Sequence, residues 1–150
     1  MTAFLIDTSI LVRLANASDP QHSVATRAVL ELHRRGDVLH VTPQVLIEFR
    51  SAATRPISAN GAGLPVVDAE AHAAVFESKF PLLTDTPDIF LAWKALVSAL
   101  GTIGKQVHDA RLVALCHVHG IAHMLTFNVA HFGRMATFGP GVTVVDPASV

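Results

Sequence analysis

The stretch AFLIDTSILVRLA, residues 3–15, runs from four apolar residues straight into an acid, Asp7, followed by two small hydroxyl residues, Thr8 and Ser9. An apolar run that gives way at once to a helical pattern is the mark of a buried strand feeding a helix. The acid between them has two readings. Asp, Thr or Ser before a helix commonly caps its free backbone N–H groups, and on this stretch alone that is the commoner reading. The alternative is a site, because in open parallel sheets ligands lie beyond the carboxyl ends of the strands. The choice turns on whether other oxygen ligands converge on the same place.

Working outward, strand and helix patterns alternate. Residues 3–7, 38–42 (VLHVT), 122–127 (AHMLTF) and 141–147 (GVTVVDP) read as strands. Residues 9–16 and 21–35 read as helices stopped at Gly36, and Pro43 opens PQVLIEFRSAAT. ISANGAGLP, residues 57–65, is the one clear loop. DAEAHAAVFESKF is a helix begun by Asp68, DIFLAWKALVSALG is another, HDARLVALCHVHG is a third closed by Gly120, and NVAHFGRM is a short one. The order predicts an α/β domain with a mainly parallel sheet, although 68–119 is almost all helix.

A chain of 150 residues predicts a single domain, 1–150, able to bury roughly 68–70% of its unfolded surface without a staple. Hydrophobic residues make up 51% and charged ones 15%, which excludes disorder and leaves apolar surface for a partner. The formal net charge of −1 supplies no global attraction for nucleic acid, so any such binding must come from local patches or a bound cation. The lone Cys116 cannot form an internal disulfide and reads as a small core residue. MTAFLIDTS lacks the basic n-region of a signal peptide and no long uncharged apolar run occurs, so a soluble, cytoplasmic setting is expected, with no membrane span.

The acids fall in telling places. Glu48 has apolar helical neighbours, Val45 and Ala52, and Asp109 shares a stripe with Leu112, Val113 and Cys116. Carboxylates seldom occupy such faces unless they are paired or bind a cation. Asn128 directly follows an apolar strand, as Asp7 does. Each could be a cap or a helix-rim residue by itself. Together, two strand ends and two helix faces can bring four oxygen side chains to one end of the sheet, the donor type that Mg²⁺ and Mn²⁺ take. Such a cation would offset the mutual repulsion of three carboxylates.

These residues, in this order, resemble a PIN domain, and more closely a VapC-type toxin ribonuclease. The segments that carry the resemblance are FLIDTSILVRL, PQVLIEFRSAATRP, GKQVHDARLVALCHVHGI and HMLTFNVAHF, with FESKFPLLTDTPDIFLAWKALV similar to one subgroup. The resemblance implies a three-layer α/β/α fold and a metal-dependent endoribonuclease. It implies Mg²⁺ or Mn²⁺ held by Asp7, Glu48 and Asp109 with Asn128 at a fourth position, and products ending in a 5′-phosphate and a 3′-hydroxyl. It also implies a homodimer, a VapB-type antitoxin that blocks the site, and structured RNA (tRNA or rRNA) as substrate. Two positions depart from the pattern: many relatives carry an acid at Asn128 and an aspartate at His131.

Other signals point elsewhere or nowhere. HVHGIAH invites a zinc reading through His117, His119 and His123, but residues two apart do not share a helix face and Gly120 interrupts the rest. Arg13, Arg50, Lys105, Arg111 and Arg134 are the basic residues expected near the site, without forming a dense run. Phe90 and Trp93 read as core or dimer-face residues, the helices at 68–79 and 87–100 being the expected dimer surface. Asp146 reads as a turn residue. Two competing functions remain open at this stage. An aspartate-nucleophile phosphatase would use Asp7, although such enzymes usually carry a second Asp where this chain has Ser9. A catalytically degenerate RNA- or protein-binding module is the other.

Overall fold

An apolar strand buried on both faces needs partners on both edges. In the computed structural model, which describes residues 1–150, β1 (Ala3–Ile6) has them. It pairs in parallel with β2 (Val38–His40) on one side and with β3 (His123–Leu125) on the other, and β4 (Thr143–Val145) pairs in parallel with β3. The sheet order is β2-β1-β3-β4. The expected mainly parallel sheet is therefore wholly parallel. Helices α1 (Thr8–Ala15), α2 (His22–Arg34), α3 (Pro43–Thr54) and α4 (Val66–Lys79) pack among themselves, as do α5 (Pro87–Leu100), α6 (Gln106–His119) and α7 (Val129–Ala136), giving a three-layer α/β/α architecture.

The strand order positions a site. The chain leaves β1 for β2 on one side and later returns to β3 on the other, so the connections part at the carboxyl ends of β1 and β3. That is the switch point where a crevice opens in parallel sheets. The ladder runs one residue past both strands: Asp7 N–H donates to Leu125 O (3.0 Å) and Thr126 N–H donates to Val145 O (3.1 Å). The residues lining the crevice are thus fixed by backbone pairing.

Several element ends differ from their sequence patterns for identifiable reasons. The apolar run at 38–42 changes partner midway: Val41 leaves β1 and bridges Leu82 instead. Thr42 then caps α3, its hydroxyl accepting from Val45 N–H at 3.1 Å, with Pro43 in the first turn. Helix α4 starts at Val66, two residues before Asp68, because Pro65 enters it with φ −57°; Asp68 lies in the first turn, where its charge suits the helix dipole. Helix α6 likewise starts at Gln106 and ends where Gly120 takes φ 67°. The 57–65 loop contains a 3-10 turn, Ile57–Ala59.

The core lies between the sheet and the two helical layers, around Phe49, Phe132, Leu5, Ile6, Leu112 and Leu115, all fully buried. Cys116 is in it, its thiol pushed up to about 12 by burial, which leaves it a packing residue. Phe90 and Trp93 divide: Phe90 is 60% exposed, whereas the half-buried Trp93 turns its indole N–H to Val107 O at 2.7 Å. Asp146 accepts from Ala148 N–H at 2.9 Å, as a turn residue does. His119 Nε2 lies 2.8 Å from Thr84 O. No helix is long and apolar enough to cross a membrane.

Phe49 packs edge-on against Phe76, ring centres 5.1 Å apart. Phe49→Ala should therefore cost about 3–5 kcal/mol of folding free energy, the transfer and cavity terms together. Urea denaturation measures it, and a loss below about 1 kcal/mol would contradict this packing.

Candidate functional site

Asp7 stands at the N-cap position of α1, yet its side chain makes no capping bond. Hydroxyls hold it instead. Its Oδ2 accepts from Ser9 Oγ at 2.7 Å and from Thr126 Oγ1 at 2.6 Å. Those hydroxyls in turn accept backbone donors, Phe127 N–H on Ser9 (3.1 Å) and Asn128 N–H on Thr126 (2.9 Å). The carboxylate is 5% exposed and its Oδ1 has no donor within the protein. A buried carboxyl group needs such donors in place of the water it has lost. The helix cap suggested by the opening stretch is not what this residue does.

Asp7, Glu48, Asp109 and Asn128 line one cleft of about 490 Å³ at the carboxyl end of the sheet. Glu48, half-buried on α3, accepts from Thr8 Oγ1 (2.9 Å) through Oε2 and from Gln44 Nε2 (3.1 Å) through Oε1. Gln44 Nε2 also donates to His108 O at 2.8 Å, which ties α3 to the first turn of α6 beside Asp109. Asp109 accepts no hydrogen bond from the protein, and its carboxyl is pushed up to about 6. Burial is the main cause, and the charges of Asp7 and Glu48 add to it; His131 and His108 pull the other way. Asn128 occupies the N-cap position of α7 without a side-chain capping bond, which leaves its amide for the cleft.

The four residues expected to converge do share a wall. Thr126, absent from that set, brings its hydroxyl as close to Asp7 as Ser9 does. The signal was a Thr two residues before Asn128, directly after an apolar strand. The basic residues need correction. Of those expected nearby only Arg13 lines the cleft; Arg50 pairs with Glu70 (2.9 Å), Arg111 with Asp85 (3.1 Å), and Lys105 and Arg134 lie outside it. Arg55, which the sequence did not single out, does line it.

The cleft is polar, with 3 hydrophobic residues among the 16 that line it, unlike an apolar small-molecule pocket. Its donors are hard oxygens. No three of the His, Cys, Asp and Glu side chains stand close enough to cage an ion unaided. Hard oxygen donors are the type that Mg²⁺ takes, commonly through one or two carboxylates with water and substrate phosphate completing the shell.

A PIN domain model matches residues 4–137. Among solved structures, the chain is similar to VapBC2 from Rickettsia felis bound to a DNA fragment from its promoter (TM-score 0.69, 15% identity, 97% of this chain and 98% of that one). It is similar to VapC20 of Mycobacterium tuberculosis, a sarcin-ricin loop cleaving toxin (TM-score 0.64, 24% identity, 85% and 92%). It is also similar to VapBC-1 from nontypeable Haemophilus influenzae (TM-score 0.70, 14% identity, 97% and 98%). At these identities the likeness is one of fold. No curated protein matches the chain in sequence.

The raised Asp109 carboxyl makes metal-free stability depend on pH. Between the ordinary value of 3.8 and about 6 the folded state binds more protons than the unfolded one, so this group's contribution is lost as pH rises through that window. Asp109→Asn should remove that part of the slope. It should leave the metal-free protein more stable at pH 7, on the order of 1 kcal/mol after solvent screening. Urea titrations from pH 4 to 7 in chelator test this; parallel curves for parent and variant would rule it out.

Proposed function

Because the chain belongs to the PIN-domain family, we propose that it is a divalent-metal-dependent endoribonuclease, the VapC-type toxin of a VapBC-type toxin–antitoxin pair, acting as a single domain, 1–150. The observation that carries this reading is the convergence of Asp7, Glu48, Asp109 and Asn128 on one polar cleft at the switch point of the sheet. The similarity to VapBC complexes supports a VapB-type antitoxin as partner. The similarity to a toxin that cleaves the sarcin-ricin loop supports structured RNA, tRNA or rRNA, as substrate. We place it in the cytoplasm, where such RNA is met.

In this reading Asp7 and Asp109 would be the primary ligands of Mg²⁺ or Mn²⁺, and Asn128 would offer a neutral oxygen beside them. A divalent cation held there would supply the positive charge that offsets the carboxylates and would act as a Lewis acid toward the phosphate. The free Oδ1 of Asp7 is aimed by the two hydroxyls on Oδ2, so it binds without reorganising. Glu48, both of whose oxygens already accept from Thr8 and Gln44, orients the attacking water and receives its proton. The water oxygen bonds to phosphorus as the P–O3′ bond breaks in line, and the departing O3′ takes a proton from solvent water, leaving a 5′-phosphate and a 3′-hydroxyl.

The second copy in a homodimer would cover the outward faces of α4 and α5, where Val66, Val67, Val75, Phe90 and Leu91 are exposed. Sedimentation at micromolar concentration should give the dimer mass, and a monomer would refute it.

Asp109→Asn should abolish RNA cleavage in Mg²⁺ while the circular dichroism spectrum is kept; parent-like cleavage would sink the assignment. Asn128→Asp should stay active and bind Mn²⁺ up to about tenfold more tightly, since one partly hydrated charge is worth on the order of 1 kcal/mol. Asn128→Ala should weaken metal binding or slow cleavage, but less than Asp7→Ala. Calorimetric titration with cleavage rates separates these outcomes, and an Asn128→Ala protein equal to the parent in both would leave a three-membered site.

A further inference from the structure

The segment that joins α3 to α4 is folded against the cleft. Arg55, Asn60, Gly61 and Ala62 line the same cavity as the three acids. Four backbone bonds fix it: Gly61 N–H to Pro56 O (3.0 Å), Gly63 N–H to Arg55 O (2.8 Å), Ala62 N–H to Ala52 O (3.0 Å) and Leu64 N–H to Ala53 O (2.8 Å). Gly61 permits the close approach. A Cβ there would lie 2.1 Å from Arg55 O and 2.3 Å from Arg55 Cβ, so any side chain would push the loop off Arg55.

The two cations of the cleft are placed differently. Arg13 is engaged, donating to Ser9 O (3.1 Å) and Gln21 Oε1 (3.0 Å) with its guanidinium 5.0 Å from the centre of the Phe127 ring. Arg55 is exposed and pairs with no group of the protein, in contrast to Arg34, Arg35, Arg50 and Arg111, each held by a carboxylate. The cleft otherwise carries four carboxylates, Asp19 included. A polyanion entering it meets repulsion from that floor and one free guanidinium at the rim, on backbone that is already ordered.

We propose that Arg55, presented by the 55–63 loop, binds an RNA phosphate flanking the one that is cut, so that this loop is the docking edge for the substrate strand. The inference rests on the ribonuclease reading and deepens it. Arg55 is a substrate-positioning residue: it supplies one backbone contact and carries no sequence information by itself.

The test is fluorescence anisotropy of a fluorescein-labelled RNA hairpin with the Asp109→Asn protein in Mg²⁺, at several salt concentrations. Adding Arg55→Ala should raise Kd about five- to tenfold and lower the slope of log affinity against log salt by about 0.7 to 0.9, the value for one phosphate contact. Arg55→Lys should keep the slope, because it keeps the charge. Gly61→Ala, which leaves every charge in place and displaces the loop, should weaken binding as well. Unchanged affinity and slope in Arg55→Ala would overturn the inference while leaving the ribonuclease reading intact. Unchanged affinity in Gly61→Ala would overturn the role of the loop. Failure of both the Asp109→Asn protein and the parent protein in chelator to bind the hairpin, with no cleavage by the parent in Mg²⁺, would overturn both readings.

Discussion

The hydroxyls of Ser9 and Thr126, 2.7 and 2.6 Å from Asp7 Oδ2, hold a buried carboxylate at the junction of β1 and β3. A buried polar group left without partners would cost several kcal/mol. Here two hydroxyls satisfy it, and the N–H groups of Phe127 and Asn128 orient those hydroxyls in turn. One oxygen atom therefore couples the end of β1, the first turn of α1, the end of β3 and the start of α7. It also enforces register. A one-residue slip between β1 and β3 would turn Asp7 to the other face of the sheet and strand its charge.

The rest of the cleft is arranged around that charge and works against stability. Glu48 is held by Thr8 and Gln44, and Gln44 reaches on to the carbonyl of His108, so the distance between α3 and α6 is set by a side-chain amide. Asp109 is the member left without a donor, and it bears the strain as a raised carboxyl value. A fold selected for stability alone would not leave an acid there. Concentrating like charges in a half-buried space raises the carboxyl of the one acid that has no donor.

Much of this was legible in the sequence, because the signals were local. The apolar run ending at Asp7, the apolar neighbours of Glu48 and the stripe beginning at Asp109 each depend on residues within one helical turn or one strand. The mainly parallel α/β sheet followed from the alternation of strand and helix patterns, and its three layers from the resemblance to PIN domains. What was not legible depended on contacts distant in sequence. Thr126 lies 119 residues from Asp7, and no local pattern announces that its hydroxyl points at that carboxylate. The change of partner at Val41, from β1 to Leu82, is invisible in a run of apolar residues. Arg50 and Arg55 look alike on paper; only the fold brings a carboxylate to the first and the cleft to the second.

The indole of Trp93 gives the molecule a built-in reporter. It is the one tryptophan of a chain with no tyrosine, and its N–H bonds to the carbonyl of Val107, two residues before Asp109. Ultraviolet emission from this protein therefore comes from a single place, the seam where α5 meets the opening turn of α6. Any event that shifts that turn should change the polarity around one fluorophore. The intrinsic light of the protein can follow the carboxylate wall of the cleft without a label.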